Sequence, residues 1–144
     1  MKPVAVTGLG AVSACGVGAD RLWEAARDGR SGVVDVRFPR IARQRVGRAA
    51  RIADADWDAV SAGVDPRFRD RTAVLAKAAA VEAVAQAGLA PEDFGSRCGV
   101  VVGSGFGGAE TLERNYVRFV EDPAARPDPM AIPKIMTSSA ASWI

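Results

Sequence analysis

The chain has 144 residues, of which 49% are hydrophobic, 25% charged and 6% aromatic. This composition is typical of a folded globular chain and excludes a disordered one. Nineteen Lys and Arg against 17 Asp and Glu give a net charge of +2, which is too small to indicate nucleic acid or an anionic membrane as a partner. Because the chain has no histidine, it contains no Ser-His or Cys-His pair and no histidine metal site.

The two cysteines, Cys15 and Cys98, are too few for a disulfide framework or a thiolate metal cage. They favour a reduced, cytoplasmic chain. Neither lies among residues that would stabilise a thiolate, so neither is predicted to be reactive. The apolar stretch at the start of the chain breaks at Gly8, which makes it too short for a signal sequence or a membrane span. We expect a cytoplasmic protein without metal or cofactor.

The first part of the chain is predicted to contain a strand, a helix and an exposed excursion. Residues 3–7 are apolar and β-branched and run into Gly8-Leu9-Gly10, which is typical of a buried strand that enters a tight turn. Asp20 is a suitable N-cap for a helix of two turns that ends at Gly29. Residues 37–51 contain six arginines and no acidic residue, which predicts an extended surface segment.

The second part of the chain continues the alternation of helix and strand. The composition predicts a strand over residues 98–102 that leads into the glycine-rich turn 103–108. The four prolines of residues 122–133 predict an irregular segment. Helices are predicted over the remaining regular stretches, which are residues 54–60, 69–87, 109–120 and 134–144. The order of strands and helices predicts an α/β fold.

The glycine-rich turn admits two interpretations. Gly103, Gly105 and Gly108 have the spacing of a dinucleotide-binding fingerprint after a strand, which would place backbone N–H groups against a pyrophosphate. The acidic ribose ligand of that motif is absent, because Glu121 and Asp122 follow a predicted helix rather than a second strand. The simpler interpretation is that the glycines permit a sharp turn and close packing. A small dinucleotide-binding module stays open as an alternative.

Several segments, taken in order, resemble the β-ketoacyl-acyl-carrier-protein synthases. They are Val6-Thr7-Gly8-Leu9-Gly10-Ala11-Val12-Ser13, Gly29-Arg30-Ser31-Gly32, Ala87-Gly88-Leu89, residues 97–108 and Ile132-Pro133. The resemblance covers the whole chain but only about the first third of such an enzyme, and it implies an incomplete N-terminal half of a thiolase-like α-β-α-β-α layered fold. It also implies that residues 1–144 stop before the nucleophilic cysteine of the family.

The resemblance implies part of a 3-oxoacyl-[acyl-carrier-protein] synthase. Such an acyltransferase elongates acyl chains by decarboxylative Claisen condensation of an acyl thioester with malonyl-carrier protein, in fatty acid or polyketide biosynthesis. Its nucleophilic cysteine and two supporting histidines would lie beyond this chain. No catalytic residue is therefore assigned, and the chain alone is expected to be inactive. The alternative of the same fold is a noncatalytic subunit of the chain-length-factor kind.

The resemblance also assigns binding residues. Gly105, Phe106, Gly107 and Met136 are expected to line the acyl pocket near a dimer interface, where the Phe106 ring would shorten the pocket and favour short or unusually shaped acyl chains. Arg67 and Arg69 are expected to face an acidic acyl carrier protein, although they would equally suit a solvated helix start. The implied partners are the carrier protein, acyl and malonyl thioesters and a second subunit, in a homodimer or heterodimer.

Overall fold

The computed structural model describes residues 3–38 and 40–144, so Met1, Lys2 and Pro39 of the predicted 1–144 domain lie outside the described residues. Within the described residues, two antiparallel hairpins and six α-helices are formed. In chain order they are β1 (Val12–Ser13), β2 (Gly16–Val17), α1 (Ala19–Arg27), β3 (Val33–Asp35), β4 (Arg48–Ala50), α2 (Asp54–Ser61), α3 (Arg71–Gln86), α4 (Ala109–Glu121), α5 (Ala131–Ile135) and α6 (Ser139–Trp143). A 3-10 turn spans Pro91–Asp93.

The long helix α3 organises the packing of this chain. It contacts α2, α6 and β1, and its residues Ala73 and Val74 are buried. Alanine predominates in α3, which favours a helix and leaves a surface of small side chains. Other segments can therefore approach the α3 backbone closely.

The turn that follows residues 3–7 packs closely against the α3 backbone. A Cβ atom on Gly8 would lie 2.0 Å from the carbonyl oxygen of Ala83, so only glycine fits there. The α3 side chain of Gln86 accepts a hydrogen bond from the Leu9 N–H at 2.6 Å. Glu82 accepts from the N–H groups of Ala11 and Ala19 at 2.9 and 2.8 Å. The turn, β1 and the start of α1 are thus fixed to one face of α3.

The predicted cap of α1 is wrong. Asp20 lies in the first turn of α1, whereas the N-cap is Gly18, which has a φ of 111° and no side chain to donate or accept. The Ala19 N–H at the helix start is satisfied instead by Glu82, 63 residues away. A cap supplied by a distant helix leaves no local signal in the sequence. Gly29, with a φ of 65°, follows the end of α1 as predicted.

The two predicted buried strands, residues 3–7 and 98–102, are wrong for this structure. Neither segment belongs to a β-ladder in the described residues. Most of their apolar side chains are exposed, with Val4 and Val101 at 95% and 97% of their full accessible area. A strand requires a neighbour to satisfy its backbone hydrogen bonds, and no described segment pairs with either one. The exposed valines leave both segments with apolar faces that no described residue covers.

The other predicted elements agree with the structure to within a few residues. α2, α3 and α4 correspond to the predicted helices at 54–60, 69–87 and 109–120. The arginine-rich segment is an exposed hairpin arm whose loop is held by the Gln44 side chain, which forms hydrogen bonds to the backbone of residues 36, 38 and 46.

The predicted last helix, residues 134–144, is wrong. It is split into α5 and α6, because Met136 adopts an extended conformation between them. Pro133 lies inside α5 and not in an irregular stretch, at a first-turn position that needs no N–H.

Candidate functional site

The glycine-rich turn lies between the start of α3 and the backbone of α5. Gly107 has a φ of 70°, and a Cβ atom there would lie 2.7 Å from the Ile135 carbonyl oxygen. Its carbonyl accepts a hydrogen bond from Thr72 Oγ1 at 2.8 Å, and its N–H donates to Ser104 Oγ at 2.9 Å. Glycine is required at this position both by the backbone conformation and by the lack of space.

A buried carboxylate joins the start of α3 to the start of α4. Asp70 caps α3 by accepting from the Thr72 N–H at 2.9 Å, and it is only 2% exposed. Its other oxygen accepts from the hydroxyl of Thr111 at 2.6 Å, a residue with no exposed surface. Buried polar groups that pair in this way hold two helices in one relative position. The Asp70–Thr111 bond therefore holds the start of α4, which directly follows the glycine-rich turn, against the start of α3.

A second polar pair fixes α5. Lys134 is 5% exposed, and its Nζ donates to Asp128 Oδ2 at 2.8 Å. The Lys134 ammonium, aided by the Met130 N–H, holds the pKa of Asp128 below its ordinary value of 3.8. The Asp128 N–H in turn donates to Asn115 Oδ1 of α4 at 3.2 Å. The proline-rich segment is thus attached to both α4 and α5.

The residues predicted to line an acyl pocket are only partly brought together. Gly107 lies against the backbone of Met136, whose carbonyl oxygen would be 3.1 Å from a Cβ atom on Gly107. Gly105 has open space where a Cβ would be. The side chains of Phe106 and Met136 are exposed, at 62% and 52%. Gly107 is buried against the backbone that leads out of α5, and these four residues do not enclose a pocket by themselves.

The two predicted docking arginines have different surroundings. Arg67 forms an ion pair with Asp65, with Nη2 2.6 Å from Oδ2, and its hydrogen bonds lower the pKa of Asp65 to about 2. The charge of Arg67 is therefore partly compensated by its neighbour. Arg69 donates through Nη2 to the Val64 carbonyl at 2.9 Å and lines a cleft beside α4.

The other basic residues of this cleft were not predicted from the sequence. Arg114, Arg118 and Arg126 line it together with Arg69. Arg114 and Arg118 are four residues apart on α4, which places them on one face of the helix. The four-residue spacing of Arg114 and Arg118 is visible in the sequence and could have indicated a basic helix face. The approach of Arg126 is not visible there, because it depends on how the proline-rich segment folds back.

Other candidate chemistry is not brought together by the structure. Cys15 is half-buried and Cys98 is exposed, and both are free thiols. Across residues 3–38 and 40–144, no cluster of acidic or cysteine side chains could hold a metal ion. No helix in the same ranges is long and apolar enough to cross a membrane.

Comparison with known structures defines the class of the fold. The chain superposes on the ishigamide ketosynthase/chain length factor with a TM-score of 0.75 and 27% sequence identity, over 94% of this chain and 34% of that one. The predicted fold class, part of a thiolase-like layered fold, is thereby confirmed. The fold is that of part of a ketosynthase or chain length factor.

Sequence comparisons identify the family. The family model for the β-ketoacyl synthase N-terminal domain matches residues 1–144, and the chain belongs to this family. It is 31% identical to nodulation protein E of Rhizobium sp. (strain N33), over 99% of this chain and 36% of that protein. It is 28% identical to 3-oxoacyl-[acyl-carrier-protein] synthase 2 of Vibrio harveyi, over 97% of this chain and 34% of that protein. The chain thus spans about a third of the length of these relatives.

Proposed function

We propose that the native polypeptide that carries this chain is a 3-oxoacyl-[acyl-carrier-protein] synthase. It joins an acyl thioester to malonyl-carrier protein with loss of carbon dioxide, in fatty acid or polyketide biosynthesis, and it works in the cytoplasm. The observation that carries the proposal is the family match over residues 1–144. The chain alone has no histidine and none of the expected catalytic groups, so we expect it to be inactive by itself.

In this proposal the chain supplies one wall of the acyl pocket. Gly105, Phe106, Gly107 and Met136 form that wall, and the exposed Phe106 ring and Met136 thioether are the apolar groups available to contact an acyl chain. The Asp70–Thr111 bond and the packed backbone of Gly107 support the wall from behind. A second subunit of the same fold would close the pocket, which is why we propose a homodimer or heterodimer.

The proposed role of Phe106 predicts a change in substrate length. In Phe106→Gly, removal of the ring lengthens the pocket. A long acyl chain then no longer meets the ring, and overpacking of this kind costs about 1–3 kcal/mol. We expect the ratio of kcat/KM for long over short acyl thioesters to rise roughly tenfold or more, since 1.4 kcal/mol corresponds to a factor of ten. Phe38→Gly, an exposed ring in the arginine-rich arm, is the control and should leave the ratio unchanged. An unchanged ratio in Phe106→Gly would remove Phe106 from the pocket.

The basic surface around α3 supports docking of an acidic carrier protein. Arg67 lies on the loop that leads into α3, and Arg69 lines the neighbouring cleft. Positive charges at such a surface steer the encounter with an acidic partner and increase its association rate. Because Asp65 partly compensates Arg67, we expect Arg69 to contribute more to the field than Arg67.

Two alternatives to an active synthase differ in how well the observations support them. A noncatalytic subunit of the same fold is favoured by one observation, the resemblance to a protein described as a ketosynthase/chain length factor. The dinucleotide-binding module has less support from the geometry. A Cβ atom on Gly108 would lie 2.4 Å from the Lys134 carbonyl oxygen, so the start of α4 is covered by α5 and is not open to a pyrophosphate.

Covalent labelling distinguishes an active synthase from a noncatalytic subunit. The native polypeptide is incubated with an acyl thioester, and peptide mass spectrometry locates the transferred acyl group. We expect one acyl group on a cysteine beyond residue 144, with Cys15 and Cys98 unmodified. A native polypeptide that acquires no acyl group would be a noncatalytic subunit. Acylation of Cys15 or Cys98 would contradict the proposed position of the nucleophile.

A further inference from the structure

A cleft of about 490 Å³ lies between α4 and the proline-rich segment that precedes α5. We refer to it as the α4 cleft. Its basic lining consists of Arg69, Arg114, Arg118, Arg126 and Lys134. Pro66, Pro127 and Pro129 form rigid parts of its wall. Because proline fixes its own φ angle, the backbone of these parts of the wall has little conformational freedom.

The charges of the α4 cleft are unbalanced. Asp128 is the carboxylate that lines it, and Asp128 already accepts hydrogen bonds from Lys134 Nζ and the Met130 N–H. Among the residues that the structure describes, Arg69, Arg114, Arg118 and Arg126 form no ion pair with a carboxylate. Four guanidinium groups therefore line one concave site whose lining carboxylate, Asp128, is already paired with Lys134 and also feels the charge of Arg114. The carboxylates of α4 line a neighbouring groove, which Arg114 and Arg118 also border.

Two of these arginines are held in place by neighbouring groups. Arg69 Nη2 donates to the Val64 carbonyl at 2.9 Å, and its buried Nε has no acceptor among the described residues. Arg114 Nη2 donates to Thr111 Oγ1 at 3.3 Å, next to the buried Asp70. Holding a guanidinium before a ligand arrives reduces the ordering cost of binding. The α4 cleft is in this respect pre-organised.

We propose that the α4 cleft binds the diphosphate group of a small molecule. The guanidinium fork matches the oxygen geometry of phosphate and binds it through paired hydrogen bonds. A diphosphate carries several negative charges and enough oxygen acceptors for more than one guanidinium. A single carboxylate would leave most of the four positive charges unpaired. The number of guanidinium groups that line the cleft therefore favours a highly charged, compact anion.

This inference goes beyond the proposed condensing activity and does not depend on it. The α4 cleft shares Arg69 with the carrier-docking surface, whereas Arg67 is not part of its lining. Arg67→Gln is therefore expected to weaken binding of an acidic carrier protein and to leave diphosphate binding unchanged. Failure of the docking proposal and failure of the diphosphate proposal thus give different results.

The test is calorimetric titration of the native polypeptide with inorganic pyrophosphate. The double variant Arg118→Gln and Arg126→Gln removes two exposed guanidinium groups from the cleft, and we expect it to weaken binding at least tenfold. The control is Arg43→Gln with Arg45→Gln, which removes the same charge from the exposed arginine-rich arm. We expect the control to bind within twofold of the unmodified polypeptide.

Two results would overturn the proposal. One is the absence of measurable pyrophosphate binding by the unmodified polypeptide. The other is an equal loss of binding in the cleft variant and in the control, which would mean that only overall charge is recognised. All four substituted side chains are exposed, so the variants are expected to fold, and a circular dichroism spectrum checks this.

Discussion

Replacement of Gly108 by alanine is expected to lower the free energy of unfolding by about 2 kcal/mol or more, in the upper part of the roughly 1–3 kcal/mol that overpacking costs. The new Cβ atom would lie 2.4 Å from the Lys134 carbonyl oxygen and 2.9 Å from Asp70 Oδ2. The first neighbour is backbone and cannot rotate away, so α5 must move relative to α4. The second neighbour is the carboxylate that holds Thr111. The substitution thus disturbs both contacts of the glycine-rich turn.

The matched control lies in the same turn. Gly103→Ala introduces the same methyl group at a position with no neighbouring atom within 4 Å and no positive φ. We expect a change within about 0.5 kcal/mol, as for most surface substitutions. Denaturant unfolding of the native polypeptide measures both values. Equal destabilisation by the two substitutions would mean that α5 does not pack on Gly108.

Replacement of Asp70 by alanine is expected to have the largest effect among the polar residues. It removes the N-cap of α3, which typically costs about 0.5–2 kcal/mol. It also leaves the buried Thr111 hydroxyl without its acceptor, which costs about 1–3 kcal/mol. Together we expect a loss of about 2–4 kcal/mol in the free energy of unfolding.

Asp70→Ser separates the two contributions. Serine can still cap the helix by accepting from the Thr72 N–H, but its side chain is too short to reach Thr111 as well. We expect its loss of stability to be about half that of Asp70→Ala. Asp93→Ala, which removes an exposed acceptor of the Ala90 N–H, should cost less than either. Identical losses for Asp70→Ser and Asp70→Ala would show that the Thr111 contact contributes nothing.

The helices α2, α3 and α4 could be predicted from the sequence because their signals are local. α3 begins after a capping aspartate and consists largely of helix-forming residues, and α4 directly follows the glycine-rich turn. Periodicity, caps and glycine stops lie within the segment that folds. The ends of these helices were accordingly predicted to within about two residues.

The strands and the polar network could not be predicted in this way, because they depend on distant residues. Residues 3–7 and 98–102 have the composition of buried strands, but composition does not supply the neighbouring strand that a ladder needs. Asp70 and Thr111 are 41 residues apart, and the cap of α1 comes from Glu82, 63 residues away. No sequence pattern joins such pairs. They form only when the helices have packed.

The candidate site, like the fold, could be predicted only in part, because some of its residues come together through contacts between distant segments. The resemblance assigned both Gly107 and Met136 to an acyl pocket, and the structure shows only that the Gly107 turn packs against the Met136 backbone. The α4 cleft was missed, since Arg69 and Arg126 come together through the fold of the proline-rich segment. Charge that converges from separate elements is visible only in three dimensions. The acyl-pocket and docking roles of these residues stay predictions.

The most direct test of the proposed function is condensation by the native polypeptide. It is mixed with an acyl thioester and malonyl-carrier protein, and both released carbon dioxide and the 3-oxoacyl product are measured. We predict that the two form in equal amounts with the native polypeptide, and that residues 1–144 alone form neither. A native polypeptide that releases no carbon dioxide and makes no product from these substrates would contradict the assignment as a condensing enzyme.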